Sequence, residues 1–269
     1  MITSITNSVR FGAIARSLLS WILFLIFLFI SGSQLTRLFP AEWNRFTYGM
    51  FGTFAALLST YIVLRTESRS LPPSGLAWDE KTVFRFMSGI GIGAAIFMAV
   101  ILALVVLSDM KLVSNFDQWN PASLFWLLSI VPLALMEEIA FRGYPFQKLN
   151  EAFGLWPTQV LVAIAFAGYH IIQGWNPQVA FLGPGIWAFV FGLAAVKSQG
   201  IAVPSGIHVS LNLFQILLGM KGEPAEAIFM LKGSESNTTI TTSDTAGLVT
   251  QLIILLVSLV ITSLQYKSK

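Results

Sequence analysis

The only two histidines of the sequence, His170 and His208, both lie inside long hydrophobic segments and are the first candidates for chemistry. Asn212 follows His208 by one helical turn, so in a helix the imidazole and the amide share one face. Phe166 precedes His170 at the same spacing, and we interpret it as a packing residue. An imidazole can carry a proton near neutral pH, and an imidazole beside an amide can donate hydrogen bonds to a developing oxyanion.

Three charged residues interrupt another hydrophobic segment: Glu137, Glu138 and Arg142. A charge at the centre of a membrane helix costs about 2.5–3.5 kcal/mol on insertion scales, so such residues are usually functional or paired. Glu138 and Arg142 have the spacing of an intrahelical ion pair, which indicates a supporting role. Glu137 is rotated by about 100° from Glu138, so its carboxylate is free to act as a general base on water.

These residues together have the chemistry of a hydrolase without a nucleophilic side chain. The predicted catalytic set is Glu137, His170, His208 and Asn212. No cofactor is expected in this interpretation. Zinc is the alternative, because one carboxylate and the two imidazoles could bind Zn²⁺ and leave an open position for water.

The composition excludes several classes of protein. Hydrophobic residues make up 55% of the 269 residues and charged residues only 11%, whereas charged residues make up about 25% of an average soluble chain. An ordinary soluble enzyme, a disordered chain and a coiled coil are thereby excluded. A net charge of +3 is too small for a nucleic-acid binder, and the absence of cysteine excludes disulfides and thiolate catalysis.

Eight hydrophobic stretches are long enough, or nearly so, to cross a bilayer as helices. They are approximately Ser17–Ser31, Phe46–Leu64, Phe86–Leu107, Leu124–Phe141, Pro157–Ile172, Val179–Val196, Ile201–Leu218 and Ala246–Leu264. The predicted fold class is therefore an all-α polytopic membrane protein of one integral domain, residues 1–269, with a motif-bearing core at about 124–218. The fourth, fifth and seventh helices are predicted to form the intramembrane site. Gly89, Gly91 and Gly93 of the third span are predicted to allow close helix packing.

The distribution of Lys and Arg between the loops predicts the orientation. With eight spans, both ends of the chain and eleven basic residues share one side, and five lie on the other. The eleven are Arg10, Arg16, Arg65, Arg69, Lys81, Arg85, Arg142, Lys148, Lys197, Lys267 and Lys269, and the five are Arg37, Arg45, Lys111, Lys221 and Lys232. Both termini are therefore predicted to be cytoplasmic, in a plasma or inner membrane. A cleavable signal peptide is the alternative for the first span.

Depth along the helices provides a check on the proposed site. At 1.5 Å per residue, Glu137 lies about 7 Å and His208 about 10 Å from the cytoplasmic ends of their spans, but His170 lies about 20 Å from the start of its span. This estimate assumes that Gly143 and Pro145 end the fourth span near the cytoplasmic surface, to which the site is expected to open. The mismatch requires a tilted fifth helix or a later start.

The residues also carry a family resemblance. Glu137-Glu138-x-x-x-Arg142, Phe166-x-x-x-His170 and His208-x-x-x-Asn212 occur in that order on successive hydrophobic segments. They resemble the three motifs of the CAAX protease and bacteriocin-processing family, which includes the type II CAAX prenyl endopeptidases and the bacterial ABI group. The resemblance covers about Leu124 to Leu218.

The resemblance implies an eight-helix intramembrane protease in which a glutamate, rather than a bound metal, activates water. It implies that Glu137 acts with His170, that His208 and Asn212 form an oxyanion hole, and that Glu138 and Arg142 hold the site together. The expected partners are the lipid bilayer and a membrane-associated protein or peptide substrate, possibly of the prenylated CAAX type that eukaryotic members cleave. No nucleic acid is expected.

Two other functions are compatible with the sequence. A non-catalytic immunity or scaffold protein could use the same fold, and its effect would not depend on Glu137. A proton-coupled transporter could use the Glu and His residues as a relay, but the sequence has no inverted repeat and no paired broken helices.

Overall fold

The computed structural model describes residues 7–67, 75–107, 110–232 and 245–267. This part of the chain is built almost entirely from helices. The helices are α1 (Asn7–Ile30), α2 (Asn44–Thr66), α3 (Thr82–Leu107), α4 (Ser123–Leu127), α5 (Ile130–Arg142), α6 (Tyr144–Phe153), α7 (Leu155–Ile172), α8 (Pro177–Ala180), α9 (Ile186–Ser198), α10 (Ala202–Leu217) and α11 (Thr245–Lys267). Two strands, β1 (Lys111–Ser114) and β2 (Phe229–Lys232), pair antiparallel, with Lys111 opposite Lys232.

Six of the described helical stretches are long and apolar enough to cross a membrane. They are Asn7–Ile30, Ala41–Thr66, Thr82–Val106, Leu155–Ile172, Pro177–Ser198 and Gly247–Leu264. The all-α polytopic prediction is therefore confirmed at this level. The fourth and seventh predicted spans correspond to the shorter helices α5, of 13 residues, and α10, of 16 residues, so the count of eight spans stays a prediction.

The loops group on two opposite faces of the helical bundle, because successive long helices run in alternate directions. On one face, which we call the α6 face, the amide of Ile201 donates to the carbonyl of Gly75 at 3.2 Å, and Gly75 lies beside Gln147 of α6. On the other, which we call the strand face, β1 pairs with β2 and the amide of Asn120 donates to the carbonyl of Ala225 at 3.0 Å. Every long helix thus has one end on each face.

Helices α3 and α10 are in backbone contact at their crossing. A Cβ on Gly89 would lie 2.2 Å from the carbonyl oxygen of Val203, and a Cβ on Gly206 would lie 2.1 Å from that of Phe86. Gly91 points away, with nothing within 4 Å of its Cβ position. Small residues permit this close approach of two helices. It fixes the height of α10, which carries His208, against α3.

Helix α5 is enclosed by α1 and α2. The indole Nε1 of Trp21 in α1 donates to the carbonyl of Ala140 at 3.1 Å, and the hydroxyl of Thr53 in α2 donates to that of Pro132 at 2.9 Å. Residues 138–146, which include the end of α5, are all buried. Gly143 therefore ends this segment among buried residues, and its position relative to the membrane surface stays a prediction.

Candidate active site

A buried carboxylate, that of Glu138, connects two of the predicted site residues. Its Oε1 accepts hydrogen bonds from Arg142 Nη1 at 3.3 Å and from His208 Nδ1 at 2.8 Å. The side chains of Glu138 and Arg142 are both 0% exposed. The four-residue spacing of Glu138 and Arg142 within α5 allows the first bond. The position of α10 beside α5 brings His208 within reach of the second. Glu138 therefore fixes the orientation of the imidazole as well as neutralising the guanidinium.

Aromatic rings surround Arg142 on the α6-face side of the carboxylates. Its guanidinium carbon lies 4.2 Å from the centroid of the Phe166 ring and 5.0 Å from that of Phe191. The Phe191 ring also stacks on the His208 ring, at 4.6 Å and 16°. Phe166, Phe191 and Arg142 form a closed layer, which we call the site floor. Rings of this kind stabilise a buried cation through their negative faces.

Glu137 lies above the site floor and is partly accessible. Its Oε2 is 3.7 Å from His208 Nε2, and its side chain is 14% exposed. This separation is too long for a direct hydrogen bond. His208 is thus placed between two carboxylates, with Glu138 on Nδ1 and Glu137 nearest Nε2.

His170 is oriented by its own helix. Its Nδ1 lies 2.9 Å from the carbonyl oxygen of Phe166, which can only accept, so Nδ1 is the protonated nitrogen. In the neutral ring, Nε2 is then a free acceptor. The rings of Phe166 and Trp175 pack against the imidazole at 4.7 and 5.0 Å. The tautomer of His170 is therefore set by α7, without help from the other motifs.

The predicted mismatch in depth has a structural explanation. Arg142, the last residue of α5, lies at the level of Phe166, which is in the C-terminal half of α7. Because α5 ends inside the core, distances counted from its end do not measure depth in the membrane. His170, one turn beyond Phe166, therefore reaches the same cavity as Glu137.

Lys221 belongs to this cluster, although sequence reasoning treated it only as a loop charge. Its Nζ donates to Asn212 Oδ1 at 3.0 Å and lies 5.9 Å from the Trp175 ring centroid. Lys221 is exposed on the strand face, but its ammonium reaches into the cavity that Asn212 lines. Its position nine residues after Asn212, just past the end of α10, was the available signal.

The environment of Lys221 changes its protonation. Removal of the ammonium from water lowers the pKa of Lys221. The negative charge of Glu137 opposes this change, and the positive charge of Arg45 adds to it.

Two cavities meet at the site. The first has a volume of about 330 Å³ and the second a volume of about 300 Å³. Both are lined by Glu137, His170, Trp175, Asn212 and Lys221. His208 lines the second cavity only. The predicted catalytic residues from three separate segments are thus brought to one connected space.

The zinc alternative would use the Glu137 carboxylate and the two imidazoles. Within the described ranges, no group of three or more histidine, aspartate or glutamate side chains is placed to hold a metal ion. The Nδ1 atoms of His170 and His208 are both occupied by protein acceptors, at 2.9 and 2.8 Å. These bonds leave the Nε2 atom of each ring free, which is also the usual arrangement of metal-binding histidines, so the zinc alternative stays a prediction.

Comparison with known families identifies the segment that carries this site. Residues 118–214 match the family model described as type II CAAX prenyl endopeptidase Rce1-like. The resemblance predicted from the three motifs is therefore confirmed for this segment. A search of the curated proteins found no match. The apolar helices and the family match together indicate an integral membrane protein, and they support peptidase activity at the level of the family.

Proposed function

We propose that this chain is an intramembrane peptidase that hydrolyses a peptide bond of a membrane-associated polypeptide, with Glu137 as the general base. One observation carries the proposal. Inside the segment that matches a peptidase family, the partly exposed Glu137 carboxylate shares a cavity with His170 and Asn212 and lies 3.7 Å from the Nε2 of His208. General bases act on water through such positioned carboxylates.

Water activation is assigned to Glu137 and His170. The bond from His170 Nδ1 to the Phe166 carbonyl leaves its Nε2 as an acceptor in the same cavity. A water held by these two acceptors gives one proton to Glu137, and its oxygen attacks the carbonyl carbon of the scissile bond. The carbonyl oxygen then becomes an oxyanion.

The oxyanion is assigned to Asn212 and His208. Because Lys221 occupies the Oδ1 of Asn212, the Nδ2 group is left to donate into the cavity. His208 already donates from Nδ1 to Glu138, so it donates from Nε2 only as an imidazolium. Glu138 supplies counter-charge for this form throughout, and Glu137 adds to it until it takes the proton from water, after which the oxyanion carries that negative charge. When the intermediate collapses, the C–N bond breaks, and Glu137 returns its proton to the leaving amine.

The test is a comparison of wild type with Glu137→Gln. New peptide termini in membranes that contain each protein are identified, and a cleaved sequence is then assayed with purified protein. We expect Glu137→Gln to insert and express normally but to lose cleavage. Glu80→Gln changes an exposed loop carboxylate in the same way and serves as the matched control, which should behave as wild type.

Two outcomes would redirect the proposal. Cleavage by purified Glu137→Gln would exclude Glu137 as the base. A biological effect that survives this substitution, without any cleavage by wild type, would favour a non-catalytic immunity or scaffold protein. In the same assay, activity should persist after chelation in metal-free buffer, whereas loss that added Zn²⁺ restores would favour the metal alternative.

A further inference from the structure

A third cavity, which we call the lateral groove, lies between α3, α9, α10 and α11. It has a volume of about 700 Å³ and a mainly apolar lining. Three of its lining residues, Ile92 of α3 and Ile253 and Val257 of α11, are 45–56% exposed. Both helices belong to the stretches that are long and apolar enough to cross a membrane. These exposed side chains therefore face lipid, and the groove opens sideways to the bilayer.

The length of the groove matches one leaflet of a bilayer. Its lining residues fall within residues 92–103 of α3, 187–198 of α9 and 250–261 of α11. Each range advances by eleven residues, which is about 16 Å at 1.5 Å per residue. The hydrocarbon core of a bilayer is about 30 Å thick, so one leaflet contributes about 15 Å. A single extended acyl chain therefore fits along the groove.

A positive charge marks the α6-face end of the groove. Lys197, in the last turn of α9, is the only charged side chain among the described residues that line the groove. It is exposed, and within the described ranges no side chain pairs with its ammonium. Lys197 also lies at the end of the apolar stretch Pro177–Ser198, where a membrane helix reaches the lipid headgroups. The groove thus has the polarity of an anionic lipid, with a charged end and an apolar body.

The other end of the groove borders the candidate site. Four residues line both the groove and the second cavity, namely Val100, Trp187, Thr250 and Ile254. An acyl chain that follows the groove from Lys197 therefore ends at the wall of the space that Glu137 lines. A chain attached to a substrate would lie in the opposite direction, with its attachment near Glu137 and its apolar end beside the Lys197 ammonium. The position of the charge favours a free lipid.

From these observations we propose that the lateral groove binds one acyl chain of an anionic phospholipid, with the phosphate at Lys197 and the end of the chain beside the second cavity. Basic sites between membrane helices bind anionic headgroups through their charge, and the apolar lining accommodates the chain. A lipid bound in this way fills the sideways passage from the bilayer to the space that Glu137 lines. The binding site does not depend on the proposed peptidase function, so it is testable without a substrate.

The test measures contact between a lipid chain and Trp187, which is only 9% exposed. Purified protein is reconstituted in phosphatidylcholine vesicles with increasing fractions of phosphatidylglycerol that carries brominated chains, which quench tryptophan fluorescence on contact. The signal of Trp187 among the eight tryptophans is the difference between each protein and the same protein with Trp187→Phe. We expect half-maximal quenching at a lower fraction of brominated phosphatidylglycerol than of brominated phosphatidylcholine. Lys197→Gln should raise that fraction about fivefold, whereas Lys81→Gln, which changes an exposed lysine just before α3, should behave as wild type.

A second pair of variants tests the location without a change of charge. Ala99→Phe adds bulk to the α3 wall of the groove and should reduce quenching of Trp187, whereas Met98→Phe, at an exposed position outside the groove, should not. Equal quenching in these two variants, or none in wild type, would overturn lipid binding in the groove. Equal half-maximal fractions for the two headgroups would overturn the anionic lipid and favour a chain attached to the substrate. None of these measurements uses cleavage, so the proposed function is tested separately by Glu137→Gln.

Discussion

Glu138→Gln is the substitution whose effect follows most directly from the structure. It keeps the shape of the side chain but removes the negative charge that Arg142 Nη1 approaches at 3.3 Å and His208 Nδ1 at 2.8 Å. The guanidinium is 0% exposed, so it would stay buried without a counter-ion. Removal of one partner of a buried ion pair costs about 3–5 kcal/mol. We expect the free energy of unfolding to fall by this amount.

The double substitution separates the charge effect from the catalytic effect. Arg142→Met alone strands the Glu138 carboxylate and should cost about as much as Glu138→Gln, about 3–5 kcal/mol. With both changes no charge is stranded, so the double variant should be more stable than the sum of the single losses predicts. Cleavage should nevertheless stay low, because the imidazole of His208 loses the carboxylate that orients it.

Unfolding in mixed detergent micelles, followed with peptide cleavage on the same samples, measures both quantities. Glu80→Gln again serves as the control for loss of a carboxylate. Single costs below about 1 kcal/mol, the value of a surface pair, would refute the assignment of Glu138 and Arg142 as a buried ion pair. Costs that simply add in the double variant would refute their coupling.

Two further substitutions test the surroundings of the site. Lys221→Ala removes the hydrogen bond that holds the Asn212 amide. A hydrogen bond from a charged donor contributes about 1.5–3 kcal/mol, so turnover should fall roughly ten- to hundredfold with little change in KM. Lys221→Arg should restore turnover. The pKa of Lys221 is lowered, so its ammonium loses a proton as the pH rises. Turnover of the wild type should therefore decline at a lower pH than turnover of Lys221→Arg. Two pH–rate profiles that decline at the same alkaline pH would contradict this. Gly89→Ala should reduce the yield of folded protein, because the new Cβ would lie 2.2 Å from a backbone oxygen of α10. Gly91→Ala in the same helix has open space at its Cβ and should express as wild type. Equal yields of the two variants would contradict the packing argument.

The sequence predicted what depends on periodicity and burial. Long apolar segments indicated helices because lipid offers the backbone no hydrogen-bond partner, and the four-residue spacing of Glu138 and Arg142 placed them on one helical face. It missed what depends on how helices are placed relative to one another. The buried end of α5 is one example, because apolar length does not report depth.

Lys221 was missed for a related reason. A lysine that follows a span looks like an ordinary loop residue, and only the folded position of its ammonium beside Asn212 shows that it enters the cavity.

The site floor has an electrical consequence. Phe166, Phe191 and Arg142 are buried at the base of the cavity, so an ion that moves straight down from Glu137 meets close-packed rings and a buried cation. A charge that crosses a membrane potential exchanges about 2.3 kcal/mol per 100 mV. Because the resistance to ions lies in the floor and below it, most of the potential falls there and little falls across the cavity. A charged polypeptide would therefore reach Glu137 almost unaffected by the potential, and the proposed hydrolysis inside the bilayer would not discharge the membrane.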